Sequence, residues 1–235
     1  MQPVGMERST RATMVYDRLR KEILTGKFRP SEKLLIDAIA NTYEVGNNAV
    51  REALSRLAAE RLVDRHERRG YFAAPMGLEA WRTLGKTRIW VETLALRESI
   101  LNRTDAWEEN IVVAYHRLSK IGTKDEFSQG LPAWNVEHRN FHRALIANCG
   151  SHWLLEFCEQ LADQAGRYIY VSNLYRVSPR DGNAEHEVLM KAVIGGDIEN
   201  AQEVLTAHFT KTLLSLENIL NSDEMLAGLE SASDT

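Results

Sequence analysis

Seven histidines are spread along the chain: His66, His116, His138, His142, His152, His186 and His208. Taken singly, a histidine is more commonly a surface residue or a satisfied core residue than a ligand. Four of these have a spacing that changes the odds. His138 and His142 are four apart, which puts both on one face of a helix. His186 opens the next-to-last helical segment, and His208 lies in the last. Imidazoles from three neighbouring helices supply three or four nitrogen donors for one divalent transition metal. Nitrogen donors suit Zn, Ni, Cu or Fe(II), with Zn and Ni the first choices. The same pattern also fits a hydrogen-bonded imidazole cluster with no metal. Glu137, Glu185 and Glu187 flank the histidines, so a metal-dependent enzyme with one of them as general base is a second chemistry these residues permit.

A different set of groups lies near the N-terminus. Asn47, Asn48, Arg51 and Arg56 occupy the start and outer face of a short helical segment. Asn can pair bidentately with adenine and Arg with guanine. A few residues on, His66, Arg68, Arg69 and Gly70 form a polar, basic tip. The glycine there lets backbone come close to a sugar-phosphate chain. Charge supports a polyanionic partner for this part alone. Residues 1–75 carry 14 Lys and Arg against 10 Asp and Glu, whereas residues 76–235 carry 15 against 23. A basic module on an acidic body is the pattern of a nucleic-acid reader.

These groups need elements to hold them. Ser9–Thr25 is helical in pattern, with Val15, Leu19 and Ile23 recurring every four residues and Gly26 placed to end it. Pro30 marks a turn. Leu34–Tyr43 reads as a short helix, Glu44–Asn47 as a tight turn, and Asn48–Glu60 as a second helix with Val50, Ala53, Leu54 and Leu57 inward. Two helices joined this tightly let the second enter a major groove. The segment from Leu62 to Ala74 reads as a two-stranded wing, and Pro75 as a domain boundary.

From Gly77 onward the pattern is helical, with helices near 78–102, 105–121, 125–148, 151–174, 181–195 and 197–220. Asp and Ser residues in the breaks offer N-caps. The predicted architecture is mostly α. A winged helix-turn-helix spans residues 1–75, an all-helical bundle for metal, effector and dimerisation spans 76–222, and a frayed polar tail spans 223–235.

Composition narrows the class. The chain has 235 residues, is 44% hydrophobic and 26% charged, and is ordinary for a soluble globular protein. Its opening residues hold no apolar core of a signal peptide, and no apolar run fits a membrane span. Cys149 and Cys158 have no CxxC spacing, so a reduced, cytoplasmic protein is expected.

The run Ile23-Leu24-Thr25-Gly26, Arg29-Pro30, Leu34, Ala40, Val45, Val50–Leu54, Arg56-Leu57, Leu62-Val63 and Arg69-Gly70 resembles the GntR superfamily of winged-helix regulators. By that resemblance Arg51 is the recognition-helix arginine and Gly70 the wing-tip glycine. The chain departs from the family at Ser31, where Gly is usual, and at Gly46, a common capping Ser. It departs again at Asn47, Asn48 and Ala49, where Arg, Thr and Pro are usual.

Phe141-His142, Leu145, Glu185-His186, Gly195-Gly196-Asp197, Ala201 and His208 resemble the FCD domain of FadR-type members. The FCD domain is a bundle of six or seven helices around a cavity, where many members hold a metal with an Asp or Asn and three His. The resemblance implies that His142, His186 and His208 take the histidine places and that His138 stands in the acidic one. It also implies a small carboxylate effector, for which Arg88, Arg97 and Arg167 are the candidate partners. Arg88 stands four residues before Glu92 and is also placed for a structural salt bridge. Arg97 neighbours Glu98, which does not share its helix face, and Arg167 has no obvious local partner. A finer resemblance, through Ala95-Leu96-Arg97, Cys149-Gly150-Ser151 and Arg167-Tyr168, is to the CsiR-like branch, whose regulators respond to short dicarboxylates such as glutarate or hydroxyglutarate. The implied protein is a homodimeric, effector-responsive repressor of operator DNA. A protein-interaction module is the bland alternative.

Overall fold

The computed structural model describes residues 10–121, 127–174 and 182–220. The tail expected over 223–235, Ser9 and the break at Gly122–Lys124 lie outside the described residues. The chain forms two compact units that divide between Met76 and Gly77.

The first unit contains α1 (Arg11–Leu24), β1 (Lys33–Leu34), α2 (Ile36–Tyr43), α3 (Asn47–Ala59), β2 (Val63–His66) and β3 (Gly70–Ala73). Helix α1 begins at Thr10, whose hydroxyl accepts the backbone N–H of Thr13. Val15, Leu19 and Ile23 meet Val50, Ala53, Leu54 and Leu57 of α3 in one buried core. The two-stranded wing expected from sequence is a three-stranded sheet of order β1-β3-β2, antiparallel throughout. Leu34 is therefore strand rather than the start of α2. It pairs with Tyr71, a partner too distant in sequence for local periodicity to reveal. Ser31 adopts φ 63°, a left-handed conformation that an L side chain enters at a cost.

The second unit is all-helical over its described residues: α4 (Leu78–Leu101), α5 (Asp105–Ser119), α6 (Phe127–Ile146), α7 (His152–Leu174), α8 (Gly182–Gly195) and α9 (Ile198–Leu220). Ser151 and Asp197 accept the N–H groups of Leu154 and Asn200 at the starts of α7 and α9. For α5 the cap is Thr104, with Asp105 already inside the helix. Trp107, Ile111, Leu118, Phe141, Leu145, Leu189, Val193 and Leu205 form the bundle core. At its edge, Trp81 packs against Tyr168, and the Tyr168 hydroxyl bonds both backbone groups of Gly77. Cys149 and Cys158 are free and buried, and burial pushes the Cys158 thiol up to about 12. Among the described residues no helix is long and apolar enough to cross a membrane.

Candidate metal centre and nucleic-acid interface

Three helices carry the four imidazoles to one point. Helix α6 contributes His138 and His142 from successive turns, α8 contributes His186 from near its start, and α9 contributes His208. One nitrogen from each ring can be chosen so that all four lie within 4.8 Å of one another. In a tetrahedral Zn site with bonds of ~2.1 Å the donor atoms lie about 3.4 Å apart, so the rings would close inward by roughly an ångström to take the ion. His142, His186 and His208 are 6%, 1% and 7% exposed. His138 is the more open member and is stacked on Trp134, one turn earlier, at 4.4 Å.

The electrostatics of the cluster follow from burial. The pKa of His142 is held well below the ordinary imidazole value, first by desolvation and then by its neighbours His138, His208 and His186 and by Arg88. Its ring is therefore neutral, the form that coordinates a metal. Both ring nitrogens of His142 are buried without a hydrogen-bond partner, a condition that native proteins rarely leave unexplained. His208 differs, because its Nδ1 lies 3.0 Å from Oε2 of Glu185.

The three arginines separate. Arg88 is buried beneath the cluster, bonded to Glu92 at 2.7 Å, and its guanidinium lies over Phe209, which itself stacks on His142. Burial raises the Glu92 pKa despite that partner. Arg167 is also buried. Arg97 is half-exposed and paired with Glu98. Rotamers bring together two side chains that helix geometry sets on different faces, which corrects the expectation that they would not pair. The candidate bases separate as well. Glu187 is ion-paired with Lys191, Glu137 accepts from Asn140, and only Glu185 of the three is bonded to a ring of the cluster.

In the winged unit, Gly46 ends the turn before α3, and Val50, Ala53, Leu54 and Leu57 bury that helix against its neighbours. Asn48 and Arg51 are left in solvent. Arg51, Arg65, His66, Glu67, Arg68, Gly70 and Tyr71 line a cleft of about 370 Å³ between α3 and the wing. Gly70, at φ 97°, takes a turn that a side chain would strain.

Three exposed residues named from sequence also make contacts within the winged unit. The Arg56 guanidinium packs over Tyr16 of α1 at 3.9 Å. The Asn47 amide donates to Asp37 of α2 at 2.7 Å, so it ties the two helices together. Arg69 lies over Phe72, outside the cleft lining. Arg65, not named from the sequence, is exposed and also lines the cleft; strand alternation gave no signal for it, because it falls on the same face as the buried Val63.

Comparison with known proteins decides the family. Residues 11–72 match the model described as bacterial regulatory proteins, gntR family, and residues 83–211 match the FCD domain. The chain belongs to the GntR family and carries an FCD domain. It is 36% identical over 203 residues to the HTH-type transcriptional regulator BphR of Paraburkholderia xenovorans strain LB400, covering 84% of this chain and 82% of that one. It is 34% identical over 197 residues to the HTH-type transcriptional repressor GlaR of Escherichia coli K12, covering 82% and 90%. Among solved structures, E. coli McbR/YncC shares the fold at TM-score 0.76 and 18% identity, over 91% of this chain and 100% of that one. The Rhodococcus sp. RHA1 putative GntR regulator matches at TM-score 0.71 and 21% identity, over 88% and 97%. This GntR-family chain is a DNA-binding transcriptional regulator, mostly helical, with a winged helix-turn-helix and an FCD bundle.

Proposed function

We propose that this regulator is a homodimeric repressor whose operator affinity is lowered by a small organic acid, a dicarboxylate or hydroxy acid, bound at a metal-containing cavity of its helical unit. The convergence of His138, His142, His186 and His208 carries this reading. Four nitrogen donors, three of them deeply buried and one with both ring nitrogens unpartnered, fit a divalent transition metal such as Zn or Ni. When bound, the cation would supply a positive charge that attracts a carboxylate.

Arg88 and Arg167 are the candidate cationic partners for that acid. Arg88 lies next to the cluster but is committed to Glu92, and buried guanidinium groups bind carboxylates bidentately. Arg51, Arg65, Arg68, Asn48 and Gly70 form the proposed DNA surface. A homodimer is expected because half-sites one helical turn apart require a two-fold protein. The similarity to GlaR, a transcriptional repressor, supports the same direction of action. Effector occupancy favours a conformation with the DNA modules wrongly spaced, and operator affinity falls by the difference in binding free energy.

Metal analysis of untagged protein after dialysis tests the carrying observation. About one Zn or Ni per chain is expected, because a preformed site holds transition metal firmly. Less than ~0.2 per chain would remove the metal from the account.

A further inference from the structure

We infer that Glu185 is the outer-sphere carboxylate that orients His208 for coordination and supplies negative charge to an otherwise all-imidazole donor set. The inference rests on the metal reading above and concerns a residue outside the four donors. Helix α8 places two adjacent groups near its start. His186 points into the cluster, where it is almost fully buried, and Glu185 reaches α9 instead. The Glu185 carboxylate is 3.0 Å from Nδ1 of His208, and its other oxygen is 3.8 Å from the Lys211 ammonium one turn further along α9.

The chemistry follows from which nitrogen is engaged. A neutral ring with its proton on Nδ1 donates to Glu185 and leaves Nε2 as the atom for a metal. A carboxylate behind a ligating imidazole fixes tautomer and ring orientation and makes the donor nitrogen more basic. That matters here because all four residues of the cluster are imidazoles, which are neutral when they coordinate. The inner donors then bring no negative charge. Glu185 lies one ring away, where it can offset part of the cation's charge without filling a coordination position.

The test uses full-length, untagged protein stripped with a chelator. Zn²⁺ is titrated in competition with a chromophoric chelator, and Co²⁺ is added to report ligand geometry through its visible spectrum. Glu185→Ala is expected to weaken Zn²⁺ binding by about 10–100-fold while keeping the wild-type stoichiometry. Glu185→Gln is expected to lose less, since its amide oxygen still accepts from Nδ1 but carries no charge. Both substitutions should shift the Co²⁺ spectrum.

Glu187→Gln, two residues along the same helix and paired with Lys191, should leave both readouts at wild-type values. Melting of the metal-free forms identifies a folding defect, and Glu185→Gln keeps the test open if Glu185→Ala fails to fold. Zn²⁺ affinity within about threefold of wild type in both variants, with an unchanged Co²⁺ spectrum, would overturn the role of Glu185 while leaving the metal centre standing. A wild-type chain that takes up no metal would overturn both.

Discussion

His142, His186 and His208 meet inside the helical unit with less than a tenth of their surface exposed, whereas Arg51, Arg65 and Arg68 stand in solvent around a cleft of the winged unit, with Asn48 exposed on α3. The two regions satisfy polar groups in opposite ways. Buried imidazoles must find partners inside the fold or in a bound ion, because an unpaired buried polar atom costs about 1–3 kcal/mol. Exposed cations need nothing from the fold and keep their capacity for phosphates and base edges. The helical cluster is therefore visible in the geometry of the chain alone. The DNA surface shows only which side chains are left uncommitted.

Substitutions can break that contrast. The largest effect is expected for His142→Ala, which removes a buried donor at the centre of the cluster. Metal affinity should fall by more than the ~100-fold ceiling typical of an outer-shell loss, read by competition with a chelator. Retention within ~10-fold would mean that the cluster is not a coordination site.

Arg51→Ala comes next, with an expected loss of ~1–3 kcal/mol against the cognate operator in a gel shift. Asn47→Ala should cost less than ~1 kcal/mol in the same assay, because its amide is already committed to Asp37. An equal loss from the two substitutions would show that Asn47 leaves Asp37 to read a base.

The pH dependence of stability separates the regions in a third way. An unfolded chain protonates His142 near the ordinary imidazole value of about 6.5, while the folded chain resists protonation until well below it. The unfolded state thus binds more protons beneath that value. For the metal-free protein, His142 should cost no stability above about pH 6.5. As pH falls below it, stability should drop at up to ~1.4 kcal/mol per pH unit for this group. Urea unfolding at several pH values measures the slope, and His142→Phe should reduce it. An unchanged slope in that variant would mean that the burial of this ring does not control acid sensitivity.

Much of the architecture was legible in the sequence because it is local. Spacings such as Val15-Leu19-Ile23, or His138-His142, are properties of a single helix. The features that were missed depend on partners distant in sequence or on rotamers. Strand β1 exists because Lys33-Leu34 meets Tyr71-Phe72, and two residues carry no periodicity. The packing of Arg56 over Tyr16 joins two helices far apart in sequence. Arg97 and Glu98 pair because long side chains bend around a helix. The cluster was visible as four histidines, but Glu185 stood out from Glu137 and Glu187 only once α8 lay against α9.

The link between the two regions is the central claim, and one measurement reaches it most directly. Footprinting of the DNA upstream of the protein's own gene would compare metal-loaded wild type with His142→Ala, each with and without glutarate as the probe dicarboxylate. The account predicts that both proteins protect the same site and that glutarate weakens only the wild type, by about 5–150-fold, the range of a 1–3 kcal/mol coupling. Equal weakening of both proteins by glutarate, or an unaltered wild-type footprint across a series of dicarboxylates and hydroxy acids, would contradict it.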